Sequence, residues 1–321
     1  MSEKPTGRTP IPLKMDSTFA AEARKIRLPP LPVAVARLIS EINRPDPDME
    51  RLVEVLSANS ETATKVLQTV NSSIFALRHP VISVRHAVAL LGLRHIRPIA
   101  LSFAMAGALP RPSAEVFDHE GFWSDSLIRA MFARSFAGRC APGEKEIAFT
   151  AALLADLAIP VLLMVWPRQY APVLTKWRTT DHRLSEMEKQ LYGWEHGAAG
   201  AHILDAWGLP AELNRLVAAH VLDLEAIRQQ EETAGINVAI AVAARAPSVQ
   251  RPNDQRAEDF VRTALGEFAF SPGEMVALIS QTRAGFEDVC GLFEIKQKRA
   301  FAMLDQLVCA ASRQEEIGEA A

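Results

Sequence analysis

The sequence predicts an all-α protein. Apolar residues recur at three- and four-residue spacing along nearly the whole chain, and no stretch alternates in the manner of a half-buried strand. Prolines, glycines and short polar residues punctuate that pattern at helix-sized intervals.

Pro29-Pro30-Leu31-Pro32 opens a first helix whose apolar face is Val35, Leu38, Ile39 and Ile42, ending before Pro45. Asp46 is placed to cap a second, with Pro47 at its first position and Leu52, Val53 and Leu56 as its stripe. Ser60 is expected to cap a third, SETATKVLQTVN, which buries Ala63, Val66, Leu67 and Val70. Ser83 starts a fourth, VRHAVALLG, stopped at Gly92. A fifth, HIRPIALSFAMAGAL, closes against Pro110 and Pro112. Beyond a soft joint near 110–118, residues 120–139 form a long helix carrying Trp123, Leu127, Met131 and Phe136. An APGEKE loop leads into the apolar run AFTAALLADLAIPVLLMVW at 148–166, which Pro160 divides into two pieces. Helices around 183–192, 195–207 and 210–220 follow, then a very apolar one at 234–246 and two or three more after Pro252. The expected organisation is a flexible tail over 1–24, a helical half over 25–112 and a second half over 113–250. Residues 251–321 add helices to the same core through Phe260, Leu265, Phe268 and Phe270, with a frayed end.

Composition narrows the function. With 35 Lys plus Arg against 38 Asp plus Glu, the net charge of −3 gives no global case for nucleic acid or anionic lipid. Arg85, Arg94 and Arg97 form a small basic patch that reads as a solvated helix face, and 83–104 has only a weak helix-turn-helix spacing. The cysteines, Cys140, Cys290 and Cys309, are far apart and suit a reducing cytoplasm. The first sixteen residues hold no signal-peptide core. The run at 148–166 is long enough to span a bilayer, but Asp156 at its centre would cost about 2.5–3.5 kcal/mol there. Without a second span or flanking Lys/Arg asymmetry, buried core helices are the better reading, and no membrane partner is expected.

The metal-capable residues of the second half are Asp125, Asp156, His182, His196, His202 and His220, spread over several helices as in a bundle site. HExxH, a phosphate-binding glycine loop and GxSxG are all absent. Trp123, Trp166, Trp177, Trp194 and Trp207 read as packing rather than a ligand cage. Asn71-Ser72 reads as a helix C-terminal signal, with a binding role as the alternative.

Several segments together resemble the HDOD domain family. LPPLP, PDPDMERLVEVLSANSETATKVLQTVNSSIF and SVRHAVALLGLRHIRPIALSFA match the first half of its pattern, with Asn71-Ser72 and Leu91-Gly92 in register. FWSDS, AALLADLA, YGWEHGAAGAHILDAWGLP and the AAH ending at His220 match the second, so the likeness spans about 25–250. It implies a multi-helix bundle of the HD/HDOD type in two halves, related to metal-dependent phosphohydrolases and used in bacterial signalling. In the active relatives an early histidine, an adjacent His-Asp pair and a late aspartate hold the metal. On that pattern Asp125 stands at the early histidine, Ala155-Asp156 at the pair and Ala244 at the late aspartate. His196 and His220 fall at positions that bind a second metal in dinuclear relatives. Ala155 and Ala244 are therefore lost-ligand positions. Asp125, Asp156, His196 and His220 remain as residual candidates for an improvised site. The expectation is no catalytic residue, no metal and no cofactor, with Asp156 buried and hydrogen-bonded. The implied role is a cytoplasmic regulatory module that binds a signalling protein in trans, with a small-molecule ligand as a further partner. The alternatives are a residual phosphohydrolase acting on a nucleotide, and a DNA-binding regulator.

Overall fold

Most of the helices start where a polar side chain or a proline ends the preceding segment. The computed structural model describes residues 28–44, 48–75, 77–229 and 234–319. Among them are seventeen α-helices and no strand, only an isolated bridge between Ser248 and Arg251. The predicted all-α class holds.

The first five helices are α1 (Val33–Ile42), α2 (Met49–Ser57), α3 (Ser60–Val70), α4 (Val84–Leu91) and α5 (Leu93–Ala108). Their starts refine the sequence reading. Asp46 and Pro47 lie outside the described residues, and the cap of α2 is Asp48, which accepts from the Glu50 N–H. The cap of α3 is Asn59 rather than Ser60: its Oδ1 accepts from the Thr62 N–H at 3.0 Å, and Ser60 is already the first helical residue. We therefore expect Asn59→Ala to cost about 1 kcal/mol in urea melts and Ser60→Ala to stay within about 0.5 kcal/mol. Equal losses would refute that assignment. Ser83 caps α4 as expected, and Gly92, at φ +80°, ends α4 and starts α5 in a conformation that a side chain would strain.

The long central helix, α6 (His119–Cys140), is buried on nearly every side, as befits a helix without a solvent face. It holds its neighbours through charged side chains along its length. Asp118, its cap, pairs with Arg299 through both oxygens (2.6 and 2.8 Å). Arg134 grips Glu146 at 3.0 and 3.1 Å, donates to the Ile74 carbonyl and lies over the Phe75 ring. Arg139 bonds Glu274 at 2.6 Å.

The apolar run resolves into α7 (Lys145–Leu153) and α8 (Ala158–Val165). The break falls at Leu154–Leu157, before Pro160, which sits in the first turn of α8 where its missing N–H is no loss. Pro142–Val165 is the segment among the described residues with the length and hydropathy of a membrane span, and 89% of its apolar 18-residue window is buried in the protein. A further helix, α9 (Pro167–Trp177), lies outside the sequence expectation: Pro167 opens it, and Pro172 within it masks the helical pattern.

Next come α10 (Leu184–Tyr192), α11 (His196–Ala206), α12 (Ala211–Ala219), α13 (Leu224–Arg228) and α14 (Ala234–Ala243), followed by α15 (Asp254–Phe268), α16 (Pro272–Val289) and α17 (Gln297–Glu319). The last three pack against α6, and α15 does so through aromatic contacts, with Phe136 stacked on Phe268 at 4.5 Å and Phe132 beside Phe260 at 5.1 Å.

Candidate functional site

The turn between α7 and α8 exposes one carboxylate to a cavity of about 290 Å³. Asp156 is not fully buried, because 13% of its side chain remains open to that space. Its Oδ1 lies 3.2 Å from His196 Nε2 and 3.3 Å from His220 Nε2, and its Oδ2 accepts from Arg129 Nη1 at 2.7 Å.

The two histidines are held from behind. His196 is the first residue of α11, and Glu188 Oε2 accepts from both its backbone N–H (2.8 Å) and its Nδ1 (2.6 Å). Glu188 is completely buried, and its other oxygen accepts from the Tyr170 hydroxyl. His220, just past α12, points Nδ1 at the Val217 carbonyl at 2.6 Å. A carbonyl and a carboxylate accept only, so both Nδ1 atoms carry hydrogen. That leaves the two Nε2 atoms facing each other at 3.1 Å beside a carboxylate oxygen. Two neutral rings would set lone pair against lone pair. A positive centre has to lie between them, either a proton or a metal ion.

The surroundings favour a proton on His196. Burial opposes its charge, but Glu188 and Asp156 outweigh burial and push its pKa up to about 10. For Asp156, burial would raise the pKa, yet His196, His220 and Arg129 hold it well below the usual carboxylate range.

The trio also passes a geometric test for one ion. Asp156 Oδ1 and the two Nε2 atoms form a nearly equilateral triangle with sides of 3.1–3.3 Å, which metal–nitrogen distances of about 2.0–2.1 Å accommodate. The donor set fits one ion. It does not extend to the other positions, Asp125, Ala155 and Ala244, at which the resemblance expects ligands. Ala155 is buried and Ala244 lines the cavity, and neither methyl can ligate. Asp125 lies outside the group of donors within 4.8 Å of one another. Its carboxylate accepts from the Ser248 hydroxyl, the Val249 N–H at 2.8 Å and Gln250 Nε2 at 3.4 Å. The four-residue improvised site thus reduces to three.

A sequence profile decides the family: the HDOD domain profile matches residues 28–222. The chain belongs to the HDOD domain family. An HDOD domain protein of unknown function from Geobacter sulfurreducens superimposes with a TM-score of 0.62 at 21% identity, covering 84% of this chain and 97% of its own. A Shewanella amazonensis protein provisionally named a phosphohydrolase gives 0.60 at 21%, covering 91% and 98%. One from Marinobacter aquaeolei, provisionally named a signal transduction protein, gives 0.57 at 20%, covering 92% and 67%. These likenesses show a shared fold. No curated protein matches the chain significantly.

Within this HDOD domain the remaining candidates stand apart from the cavity. His182 is exposed, beside Glu186 at 3.9 Å, and His202 does not line the space. Asn71 holds the Val81 backbone through two bonds of 2.7 Å, and Ser72 bonds the Thr69 carbonyl, so the pair fixes the connection into α4. The tryptophans are dispersed: Trp194 packs on Tyr192 and Trp166, Trp123 on Phe293, and Trp207 bonds Pro29. Among them Trp177 alone lines the cavity. Arg85 is paired with Glu50 rather than forming a free basic face. Arg129, Glu188 and Tyr170 were not anticipated. Arg129 did leave a signal, since it lies one helical turn after Asp125 on α6.

Proposed function

We propose that this HDOD domain is a regulatory module that acts by binding and does not hydrolyse phosphate esters. The observation that carries the reading is Arg129 on Asp156: a guanidinium engages the one surviving oxygen pair of the ancestral His-Asp site at 2.7 Å. Metal catalysis needs about three protein ligands and an open position for water or substrate. Here a proton on His196 and the Arg129 cation balance Asp156 and Glu188 without a dication. Ala155 and Ala244 remove the partners that a second ion would need. The setting that suits such a module is a bacterial cytoplasm, with the input and the effector protein supplied in trans.

The second reading, a phosphohydrolase with a single ion, has one specific observation in its favour: the triangle of Asp156, His196 and His220, with Glu188 and Val217 orienting the rings as partners of metal-bound histidines do. Elemental analysis of the purified protein separates the two. The regulatory reading expects no stoichiometric Mn, Fe or Zn and no phosphate release from nucleotides with any of these ions added. A stoichiometric metal that disappears in both Asp156→Ala and His196→Ala, together with hydrolysis, would establish the second reading instead.

A further inference from the structure

The cavity beside the triad has an electrostatic character that the triad does not explain. Six arginines line it: Arg129, Arg178, Arg183, Arg245, Arg251 and Arg256. The acids in the same wall are fewer and engaged. Asp156 belongs to Arg129 and the histidines, Asp125 holds Ser248 and Val249, and Asp259 is half-exposed and paired with Arg262.

The other five guanidinium groups are anchored mainly by neutral carbonyls. Arg178 bonds Val116 O at 3.2 Å, and Arg183 bonds Val221 O at 3.4 Å. Arg245 bonds Ala241 O at 2.6 Å and Leu222 O at 3.2 Å. Arg251 bonds Trp177 O at 2.9 Å, Thr180 O and His182 O, and its guanidinium lies 4.0 Å over the Trp177 ring. Arg256 bonds Asp181 O. The carboxylates that act on Arg183 are half-exposed or exposed: Glu186, which caps the Arg183 backbone N–H at 3.1 Å, and Asp223, 4.0 Å from its guanidinium. Carbonyl bonds orient a guanidinium but leave its charge uncompensated, so the wall carries an excess of positive charge around a small space.

Two further observations point at a ligand. Arg129 and Arg251 each keep a buried Nε–H with no hydrogen-bond partner, a condition that is costly inside a protein. The arginines also repel one another. Burial first, then the neighbouring Arg183, pushes Arg245 down to about 10, and burial followed by Arg256 and Arg129 does the same to Arg251. An anion with several acceptor oxygens would offset the mutual repulsion of these guanidinium groups. The volume of about 290 Å³ sits at the lower edge of ligand pockets, which selects a small molecule over a peptide.

We propose that this arginine-walled cavity is a binding site for a small phosphate-bearing molecule, held by Arg183, Arg245 and Arg251 beside Asp156. The site names the ligand class for the binding role proposed above, and it rests on that reading only in that the ligand is retained unchanged. Bidentate bonding of phosphate oxygens is the chemistry for which a planar guanidinium is best shaped.

The test is calorimetric titration of the full chain, stripped of metal with chelator, with inorganic pyrophosphate as the bare anion and a nucleoside diphosphate as the anion bearing a ring. Saturable one-to-one binding is expected for at least one of them. Arg183→Gln and Arg245→Gln should each weaken it about tenfold or more, with unchanged far-UV circular dichroism. Raising the salt should weaken wild-type binding as well, an arm that needs no variant. No binding at millimolar probe, or equal affinity in wild type and both folded variants, overturns the proposal. Phosphorus NMR of the same samples separates it from the non-catalytic reading. A bound but hydrolysed probe leaves the anion site standing and removes that reading. An intact probe that fails to bind removes the anion site alone.

Discussion

Replacing Glu188 with alanine will lower the stability of the protein by about 3–5 kcal/mol in urea melts at neutral pH. Glu188 has no exposed surface and satisfies three donors at once: the Tyr170 hydroxyl, the His196 backbone N–H and His196 Nδ1. Its removal leaves His196 Nδ1, the His196 backbone N–H and the buried Tyr170 hydroxyl without their acceptor, and leaves the His196 cation with Asp156 alone. The loss belongs to the class in which one partner of a buried charge pair is deleted, not to that of a surface ion pair worth under about 1 kcal/mol. A measured loss below about 1 kcal/mol would mean that the His196 charge is balanced elsewhere and would sink the account of the triad.

The same cluster sets a pH dependence. His196 titrates near 6.5 in the unfolded chain and is pushed up to about 10 in the folded one. Between those values the folded state holds one proton more than the unfolded state, so stability falls as pH rises. The slope is about 1.4 kcal/mol per pH unit for that group, with its contribution fully present below 6.5 and lost on passing 10. Asp156 works in the opposite sense. Its pKa is depressed, so its contribution is present above about 3.8 and lost as the pH falls through its folded value. Urea melts of wild type and His196→Asn at pH 7 and pH 9.5 isolate the histidine, because all other groups titrate in both proteins. The wild type should lose more stability over that interval than the variant. Parallel losses would show that His196 is neutral in the folded state, and the balance of charge around Asp156 would then require a metal ion.

Much of this was legible in one dimension, for reasons that particular residues make plain. Ser83 and Gly92 announced the ends of α4 because a capping hydroxyl and a left-handed turn are local requirements. Asp156 stood out as the one charge in an apolar run, and Ala155 beside it stands where the family resemblance expects a histidine. The cap of α3 lies one residue before the expected Ser60 because Asn59 and Ser60 are both good caps, and it is the Asn59 side chain that accepts from the Thr62 N–H. Glu188 was invisible: in LSEMEKQLY it looks like its neighbour Glu186, which lies on the exposed side in a capping box with Arg183. The arginine wall was invisible too. Arg183 starts α10, while Arg245 and Arg251 belong to the turn after α14, and only folding brings these distant segments around one space.

The run of grips along α6 has a mechanical meaning. Asp118 holds Arg299 of α17, Asp125 and Arg129 face the cavity, Arg134 holds α7 and the segment after α3, and Arg139 holds α16. A helix of 22 residues is a rod about 33 Å long that does not shorten or flex appreciably between these grips while its backbone bonds persist. The elements gripped along it are therefore tied to one straight member, the amino-terminal segment and the carboxy-terminal helices alike. The protein has one long beam through its centre, and the cavity sits against its side.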